Sequence, residues 1–371
     1  MTRVALPRYG EAALCDVLPS VLGALGLPGE ENILGLPSSS RYCVLLVDAL
    51  GWNLLQAHPA QAPFLSSLTG RAITVGVPTT TAVSLTSLGT GLPPGRHGVV
   101  GYTSRVPGDR RRIFNALRWE PRLDPDAYQP HPSVIERAER AGVATTVLGE
   151  SKFRGSGLTQ AGLRGPFRTA NTYGQRVAAA CEAAGAGKRA LVYVYDGDLD
   201  YTGHQHGCRS AAWRHQLTMT DSFAEQLFDH LPAGTTLLVT GDHGMVDVDA
   251  ERRIDVDDVP ALREGVELVA GEARFRHVYT TDGAADDVVA AWRSVLQDRA
   301  TVLSRDEAVA AGWFGAVEAR VTERIGDVVV SVDGDCAVER RSVFPVEGKL
   351  RGLHGAMTDD ELLVPLLVGE A

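Results

Sequence analysis

The sequence contains no long hydrophobic run. No stretch approaches the ~20 consecutive apolar residues that a membrane-spanning helix requires. The amino-terminal stretch "MTRVALPRYGEAALCDVLPSVL" also lacks the basic segment, apolar centre and small-residue cleavage site of a secretory signal peptide. From these absences we expect a cytoplasmic protein that has no membrane partner.

Cysteine is scarce, and no two cysteines have the spacing of a redox or zinc motif. The five cysteines are odd in number and scattered along the chain. Secreted domains that rely on disulfides have denser and usually even sets of cysteines. We therefore expect reduced thiols, which agrees with a cytoplasmic location.

The chain also has fewer basic residues than acidic ones. The chain has 36 lysines and arginines against 46 acidic residues, a formal net charge of −10. This balance argues against a nucleic-acid polymer as the partner, because proteins that bind one usually present net positive surfaces. It permits a small anionic substrate, because bound cations can dominate the local field.

What the sequence does contain is a set of short apolar runs that end in polar residues. Such runs are typical of strands buried on both faces of a parallel sheet. Apolar residues at three- and four-residue steps predict a helix over 210–231. Strands that alternate with helices indicate an α/β fold, a doubly wound and mostly parallel sheet with helices on both faces. The runs are "RYCVLLVDAL" (41–50), "RAITVGVP" (71–78), "KRALVYVYDGD" (188–198) and "GTTLLVTGDHG" (234–244).

The chain is longer than a domain with a single hydrophobic core usually is. Its 371 residues exceed the ~250–300 at which a single hydrophobic core stops growing, so we expect one large domain with an insertion, or two domains. Residues 103–175 are rich in Arg, Pro and Gly, and we interpret them as an excursion over the active site. Residues 250–345 mix predicted strands with a helix, and we interpret them as a smaller α+β insertion. We favour a single catalytic domain over residues 1–371 that carries both segments.

Polar side chains recur where the predicted strands end. Asp48 follows the first strand, a run of three threonines follows the second, and aspartates at 196–200 follow the third. Asp242 and His243 follow the fourth. Active sites of open α/β sheets lie in the crevice beyond these strand ends. The sequence therefore predicts that these residues meet at one edge of the sheet.

The stretch "DGDLDYTGHQHG" (196–207) combines a carboxylate with an imidazole. Asp200 and His204 are four residues apart with Gly203 between them, so we predict a tight loop that turns both side chains onto one cation. A mixed set of carboxylate and imidazole ligands suits Zn²⁺ or Mn²⁺ better than Ca²⁺, which prefers oxygen ligands alone.

Two further histidines stand in short motifs, His243 in "TGDHGM" and His354 in "GLHGAM". Taken singly, such a motif is more often a turn with a satisfied histidine than a ligand. The threonine run of residues 79–81 is likewise more often an N-cap at a strand-to-helix junction. The order of the motifs along the chain is more specific than any one of them.

That order resembles the type I phosphodiesterase / nucleotide pyrophosphatase branch of the alkaline phosphatase superfamily. The resemblance spans about 41–357 and rests on Asp48, "PTTT…TGLPPGRHG", Asp-x-x-Gly-His, Gly-Asp-His-Gly-Met and a late His-Gly. It implies an alkaline phosphatase-like fold and two divalent metal ions per chain, Mn²⁺ or Zn²⁺. By the same resemblance, one ion is held by Asp48, Asp242, His243 and the hydroxyl of Thr81, and the other by Asp200, His204 and His354.

The resemblance also selects one threonine from the run. The nucleophile of the family lies nine positions before the threonine of a Thr-Gly-Leu turn, which begins here at Thr90, so the nucleophile is Thr81. A hydroxyl at a helix N-terminus faces unpaired N–H groups and the positive end of the helix dipole. A bound metal would lower the pKa of that hydroxyl. We predict that Thr81 attacks phosphorus and forms a phosphothreonine intermediate, which water then hydrolyses.

Two positions depart from the pattern of the family. Ala82 stands where many members have an aromatic residue that stacks on the nucleotide base, and Tyr102 stands where many have an asparagine. We interpret Tyr102 as a substrate contact, together with Arg105, Asn115 and Arg118 of the segment that follows. Candidate replacements for the stacking aromatic are Trp52, Tyr102, Trp119 and Tyr173.

The small-residue version of the motif, "PTTTAVS" with "HGVVGYT", is similar to an actinobacterial group of intracellular enzymes that cleave cyclic di-AMP. We therefore expect a small nucleotide substrate, with cyclic di-AMP or a linear dinucleotide favoured. One alternative is a phosphonate hydrolase or phosphomonoesterase of the same superfamily, which the loss of the stacking aromatic favours. Another is a non-catalytic metal-binding module. The sequence leaves the oligomeric state open.

Overall fold

The computed structural model describes residues 6–370. Its strands are β1 Arg41–Val47, β2 Thr69–Thr74, β3 Thr103–Arg105, β4 Ile113–Asn115, β5 Ala144–Gly149, β6 Phe167–Thr169, β7 Ala190–Asp196, β8 Thr235–Gly241, β9 Val246–Asp247, β10 Arg253–Asp255, β11 Val266–Glu272, β12 Phe275–Thr280, β13 Ala300–Ser304, β14 Val328–Val332, β15 Ala337–Glu339, β16 Gly352–Leu353 and β17 Leu363–Glu370. Its helices are α1 Val17–Ala24, α2 Trp52–Ala57, α3 Pro63–Ser67, α4 Thr81–Thr90, α5 Pro94–His97, α6 Pro125–Tyr128, α7 Val134–Arg140, α8 Gly157–Gly162, α9 Tyr173–Ala184, α10 Asp198–His206, α11 Ala211–His230, α12 Ala285–Leu296, α13 Arg305–Ala310, α14 Ala319–Thr322 and α15 Asp359–Leu362.

Seven strands form the central sheet, in the order β2-β17-β8-β1-β7-β5-β6. The strands β8, β1, β7, β5 and β6 run parallel to one another. The strand β17 is antiparallel to both of its neighbours. All four apolar runs of the sequence become strands of this sheet, so the prediction of a mostly parallel sheet is confirmed. β17 was not predicted.

Helices cover both faces of the sheet, as the doubly wound prediction required. Alternate residues of β1 enter two different hydrophobic cores, for example Val44 on one face and Leu45 on the other. The first core includes residues of α1, α4 and α7, and the second includes residues of α9 and α11. The helix predicted over 210–231 is α11, whose residues Trp213 and Leu217 are buried.

Residues 250–345, which we predicted as an insertion, contain a second sheet. This sheet is antiparallel, in the order β11-β12-β14-β13, and Trp292 of α12 is buried in its core. Phe275 and Val329 of the same segment belong to the hydrophobic core that contains Leu88 of α4. The insertion therefore shares a core with the central sheet.

The segment 103–175 is an excursion only in its first part, which corrects the prediction. β3 and β4 form a hairpin outside the central sheet, whereas β5 and β6 are strands of that sheet. These short strands were not predicted as part of the sheet, because the high content of Arg, Pro and Gly in the segment indicated a loop. Between them α8 lies against α4, and an added Cβ at Gly89 would meet the Gly162 carbonyl oxygen at 2.1 Å. This close approach places α8 beside the C-terminal half of α4.

Across residues 6–370, none of the helices combines the length and the apolar composition needed to cross a membrane.

Candidate active site

Neighbouring parallel strands deliver candidate ligands to one edge of the central sheet. Asp48 follows β1, and Asp242 and His243 follow β8. All three side chains are buried, and one ligand atom from each lies within 4.8 Å of the others. The N–H of Asp48 donates to the carbonyl of Asp196 at the end of β7, 2.8 Å away, which fixes the chain where it leaves the sheet. These residues form the first of two groups that can hold a cation.

The hydroxyl of Thr81 faces this group. Thr81 is the first residue of α4, and its Oγ1 lies 3.4 Å from Asp48 Oδ2 and 3.3 Å from His243 Nε2. The N-cap residue Thr80 makes no side-chain hydrogen bond to the helix end. The first N–H groups of a helix have no intrahelical partner, so they stay available to an anion beside Thr81.

Asp200 and His204 lie on a helix, not in the tight loop that we predicted. Residues 198–206 form α10, and the four-residue spacing places both side chains on one face of it. His204 Nε2 lies 3.3 Å from Asp200 Oδ1. Asp200 also joins His243 and His354 in a second group whose ligand atoms lie within 4.8 Å of one another. The resemblance had assigned His243 to the first ion alone, whereas here its ring lies between the two groups.

Backbone carbonyls orient all three histidines in the same way. The Nδ1 atoms of His204, His243 and His354 lie 2.8–2.9 Å from the carbonyl oxygens of Gly352, Gly244 and Thr79, respectively. Each carbonyl accepts a hydrogen bond from Nδ1, so the Nε2 atom carries the free lone pair. Each Nε2 atom faces a carboxylate of the cluster. Histidines that bind metals are typically held by such bonds from the other ring nitrogen.

The three carboxylates leave oxygen atoms that nothing in the described residues satisfies. Asp48 Oδ1, Asp200 Oδ1 and Asp242 Oδ2 are buried and make no hydrogen bond. Burial and the carboxylates of Asp242 and Asp200 raise the pKa of Asp48 well above its ordinary value, and burial raises the pKa of Asp242. Burial and the two neighbouring histidines lower the pKa of His354, which keeps its ring neutral. Unpartnered carboxylate oxygens beside the neutral imidazole of His354 fit divalent cations.

Thr79 holds the loop that carries His354. Its Oγ1 donates to the carbonyl of Ala356 at 2.9 Å and accepts from the N–H of Gly355 at 3.0 Å. Thr79 therefore contributes structure, whereas the hydroxyl of Thr81, two residues later, faces the carboxylates.

Sequence reasoning missed two tyrosines of β7. The hydroxyl of Tyr195 donates to Asp48 Oδ2. Tyr193 lies on the same face of the strand, and its hydroxyl is buried without a hydrogen-bond partner in the described part of the chain. The alternation in "LVYVYD", just before Asp196, was the available signal, because residues two apart share a face of a strand.

A cavity of about 400 Å³ opens next to the cluster. Its polar end is formed by Thr81, Asp48 and Asp200, and the rest of its lining is mostly aliphatic and aromatic. Phe153 and Phe167, which sequence reasoning also missed, belong to this lining. None of the four aromatic residues that we named as replacements for base stacking lines it.

The predicted substrate contacts do not meet in this cavity. The guanidinium of Arg105 lies over the ring of Tyr279 and donates to the carbonyl of Glu323. The side chain of Asn115 accepts hydrogen bonds from the N–H groups of residues 117 and 118. Neither Tyr102 nor Arg118 lines the cavity. Contacts of these four residues with the substrate therefore have no support in the geometry of the site.

The N–H of Tyr102 instead donates to Glu272 Oε1 at 2.6 Å. Burial raises the pKa of Glu272 from 4.5 to about 7. A folded-state pKa above the unfolded value means that the folded protein binds the proton more tightly. We expect this carboxyl to cost stability as the pH rises from about 4.5 through 7, by roughly 3 kcal/mol in all.

Glu272→Gln should flatten this pH dependence and be at least as stable as wild type at pH 8. Urea unfolding at pH 5 and pH 8 measures the effect. The same substitution at the exposed Glu225 provides the control. An equal loss of stability between these pH values in the wild type and in Glu272→Gln would contradict the assignment.

Comparisons with known proteins agree with the fold. The family model described as type I phosphodiesterase / nucleotide pyrophosphatase matches residues 42–357. Murine ectonucleotide pyrophosphatase / phosphodiesterase 5 is similar in structure, with a TM-score of 0.71 at 19% identity over 88% of this chain and 87% of that chain. The human protein of the same name gives 0.70 at 19% identity, over 88% of this chain and 87% of that chain. An inactive form of the murine protein in complex with AMP gives 0.70 at 18% identity and the same coverage.

The search of curated proteins returned no match. The family model nevertheless covers most of the chain, including every candidate ligand. The chain therefore belongs to the type I phosphodiesterase / nucleotide pyrophosphatase family of the alkaline phosphatase superfamily and is a metal-dependent hydrolase of phosphodiesters.

Proposed function

We propose that the protein hydrolyses nucleotide phosphodiesters inside the cell through a phosphothreonine intermediate on Thr81, with cyclic di-AMP or a linear dinucleotide as substrate. The observation that carries the proposal is the position of the Thr81 hydroxyl, at the first turn of α4 and within 3.4 Å of Asp48 and His243. A nucleophile needs a neighbour that takes up its proton and a site that accepts negative charge. Both are present at this point.

In this reaction each residue of the site has a different role. Thr81 Oγ1 forms the new bond to phosphorus while the ester oxygen of the leaving group departs. Asp48 Oδ2 is the carboxylate oxygen nearest to the hydroxyl and accepts its hydrogen. The free N–H groups of α4 donate to the phosphoryl oxygens. The proton held by Asp48 passes to the released ester oxygen, which leaves as an alcohol. Water then attacks phosphorus and breaks its bond to Thr81, giving its hydroxyl to phosphorus and its second proton to the Thr81 oxygen.

The ligand groups fit two divalent cations, Mn²⁺ or Zn²⁺. Asp48, Asp242 and His243 would hold one, together with Thr81, and Asp200, His204 and His354 would hold the other. When bound, such cations supply positive charge that favours the ionised hydroxyl and stabilises charge developing on phosphoryl oxygens.

The composition of the cavity supports a diester with an organic substituent over a small monoester. Among its lining residues, Lys152 alone carries a positive charge, and this amine pairs with Glu150 at 3.1 Å. The AMP in the murine neighbour supports a nucleotide substrate. The likeness of the threonine motif to enzymes that cleave cyclic di-AMP supports a dinucleotide and a cytoplasmic setting.

A panel of phosphate esters tests the function. Chelated protein is assayed before and after addition of Mn²⁺ or Zn²⁺, with bis(4-nitrophenyl) phosphate, 4-nitrophenyl phosphate, cyclic di-AMP and its linear form. We expect turnover only with metal, and a higher kcat/KM for the diesters than for the monoester.

The variant Asp242→Asn should lose bound metal and activity, whereas Asp282→Asn, at an exposed carboxylate outside the site, should keep both. A preference for the monoester would favour the phosphomonoesterase alternative. Metal binding without turnover of any ester would favour the binding module.

A further inference from the structure

We propose that Glu272 is a positioning residue for the second cation site, the one formed by Asp200, His204 and His354, and that it acts in its protonated form. It acts through the segment 347–355, which carries His354 and orients His204. The inference rests on the proposed function, because it takes these three residues to bind a cation. Neither the family match nor the neighbours in structure assign a role to Glu272.

The segment 347–355 makes the contacts that orient both histidines of this site. The N–H of Arg351 donates to the carbonyl of His204, in the last turn of α10, 2.8 Å away. The next carbonyl along the chain, that of Gly352, lies 2.8 Å from Nδ1 of the same histidine. His354 follows two residues later. A displacement of the segment would therefore move the Nε2 atoms of both histidines.

Glu272, the last residue of β11, packs against the C-terminal end of this segment. A Cβ added at Gly355 would lie only 3.1 Å from the Cβ of Glu272, and Gly355 has a φ of +132°, so glycine allows this close approach. The carbonyl of Gly355 accepts from the N–H of Thr79 at 3.1 Å. With its Oε1 bonded to the N–H of Tyr102, Glu272 is held between the loop of His354 and the residues that precede α4 and β3.

A second buried carboxylate, that of Glu347, holds the other end of the segment. Its Oε2 accepts from the guanidinium of Arg276, and neither side chain is more than 10% exposed. The other hydrogen bonds of Arg276 go to backbone carbonyls, those of Val338 and Gly271. The charge of Arg276 also favours the ionised form of Glu272 and so opposes the rise in its pKa. Two carboxyl groups thus share one guanidinium, whose single charge can balance only one of them.

Each of these two carboxyl groups has a buried oxygen that accepts no hydrogen bond from the described part of the chain, Glu272 Oε2 and Glu347 Oε1. Burial raises the pKa of Glu272 to about 7, and the charge of Glu347 adds to the rise. The opposing influences are the N–H of Tyr102, the hydroxyl of Thr80 and the guanidinium of Arg276. A proton on Glu272 leaves one carboxylate for one guanidinium.

The other arginines next to Glu347 are paired with a different carboxylate. Arg253 and Arg341 lie beside residues 347 and 348, but they bind Glu339, at 2.5 and 2.7 Å. Ionisation of Glu272 would therefore leave a buried negative charge without a partner, which costs free energy. The charged groups that act on the carboxyl of Glu347 are those of Arg276, Glu339 and Asp255.

Loss of the proton from Glu272 should displace the segment 347–355. The unpaired charge is relieved when water enters beside Glu272 or when the carboxylate of Glu347 moves away, and either change loosens an end of the segment. The carbonyl that orients His204 and the ring of His354 then leave their positions. The protonated protein is therefore the form that binds the second cation tightly.

Titration of the chelated full chain with Mn²⁺, followed by electron paramagnetic resonance, tests this coupling at pH 6 and pH 8. Wild type is compared with Glu272→Gln, which keeps an acceptor for the N–H of Tyr102 but carries no charge, and with the control Glu225→Gln at an exposed position. At pH 8 a carboxyl with a pKa of about 7 is protonated in about a tenth of the molecules, so strict dependence would weaken the binding of one ion about tenfold.

We expect the Kd of that ion to be similar in wild type and Glu272→Gln at pH 6, and about fivefold or more higher in wild type at pH 8. Comparison at each pH cancels the titration of the ligands themselves. Glu225→Gln should follow wild type at both pH values. A second variant, Glu347→Gln, makes Arg276 available to an ionised Glu272 and should also remove most of the difference between wild type and Glu272→Gln.

The same ratio of Kd at pH 6 and pH 8, in Glu272→Gln and in Glu347→Gln, would overturn the positioning role. Weaker binding of Mn²⁺ by Glu272→Gln at pH 8 would overturn it as well, because the carboxylate would then attract the cation by its charge. Both results leave the proposed function standing, because Mn²⁺ still binds and hydrolysis is measured separately. A wild-type chain that binds no Mn²⁺ at either pH would overturn the proposed function together with this inference.

Discussion

Replacing Thr81 by alanine should lower kcat by roughly 10³–10⁶-fold, the range seen when a covalent nucleophile is removed. The expected loss is large because the side chain that attacks phosphorus is absent, so the carboxylates and helix N-terminus around it have no nucleophile to activate. The hydroxyl makes only long contacts, 3.3 and 3.4 Å, so its removal should leave the fold unchanged. Turnover of bis(4-nitrophenyl) phosphate, metal content and circular dichroism measure the outcome.

Two further variants show whether the hydroxyl acts as the nucleophile. Thr81→Ser retains a hydroxyl and should keep far more activity than alanine. Thr90→Ala removes a buried hydroxyl from the last turn of the same helix and should stay close to wild type. Acid quenching with ³²P-labelled substrate should trap label on the wild-type chain and none on Thr81→Ala. A Thr81→Ala protein that keeps more than about a tenth of wild-type turnover would exclude nucleophilic catalysis by this residue.

The parts of the fold that the sequence could predict have strong local signals. The runs that became β1, β7 and β8 have apolar centres and end at or just before an aspartate or a glycine, which is typical of strands buried on both faces. β17 has a similar apolar character, but its antiparallel insertion depends on pairing with β2, almost 300 residues earlier in the chain, and with β8, about 130 residues earlier. No local pattern reports such a pairing.

The candidate site likewise has parts that the sequence could predict and parts that it could not. The polar residues at strand ends were predictable because parallel strands bring their carboxyl ends to one edge. The helix α10 was not, because Gly203 and three aspartates in "DGDLDYTGHQHG" disfavour a helix by intrinsic propensity. Against Gly203 the side chain of Met245 packs so closely that an added Cβ would lie 2.4 Å from its sulfur. Tertiary packing therefore demands glycine at a position where local propensity indicated a loop.

The cavity could not be predicted at all. Its walls come from α4, β5, β7 and the segment 152–163, which meet only because α8 packs on α4. The sequence instead drew attention to the arginines after Tyr102, whose charge and number suggest phosphate binding. In the structure, several of these arginines bind groups of the insertion instead. Arg105 donates to a backbone carbonyl, and Arg110 pairs with two carboxylates.

Replacing Arg274 by methionine should destabilise the protein by about 3–5 kcal/mol, the cost of leaving a buried carboxylate without its partner. Arg274 and Glu361 are both fully buried, and two guanidinium nitrogens of Arg274 lie 2.7 Å from the two carboxylate oxygens of Glu361. Glu361 also accepts from the N–H of Ala356, two residues after His354. The ion pair thus connects the insertion to the loop that carries a candidate metal ligand. The free energy of unfolding in urea measures the loss.

The double variant Arg274→Met, Glu361→Leu separates the cost of an unpaired charge from the value of the pair itself. Replacing both charges by apolar groups often restores the stability that a single replacement removes. We expect the double variant to regain most of the free energy of unfolding but not full activity, because the Ala356 N–H loses its acceptor beside His354. Arg293→Met, at an exposed pair with Glu307, should stay near wild type in both respects. A double variant as unstable as Arg274→Met alone would show that the loss came from packing and not from the buried carboxylate.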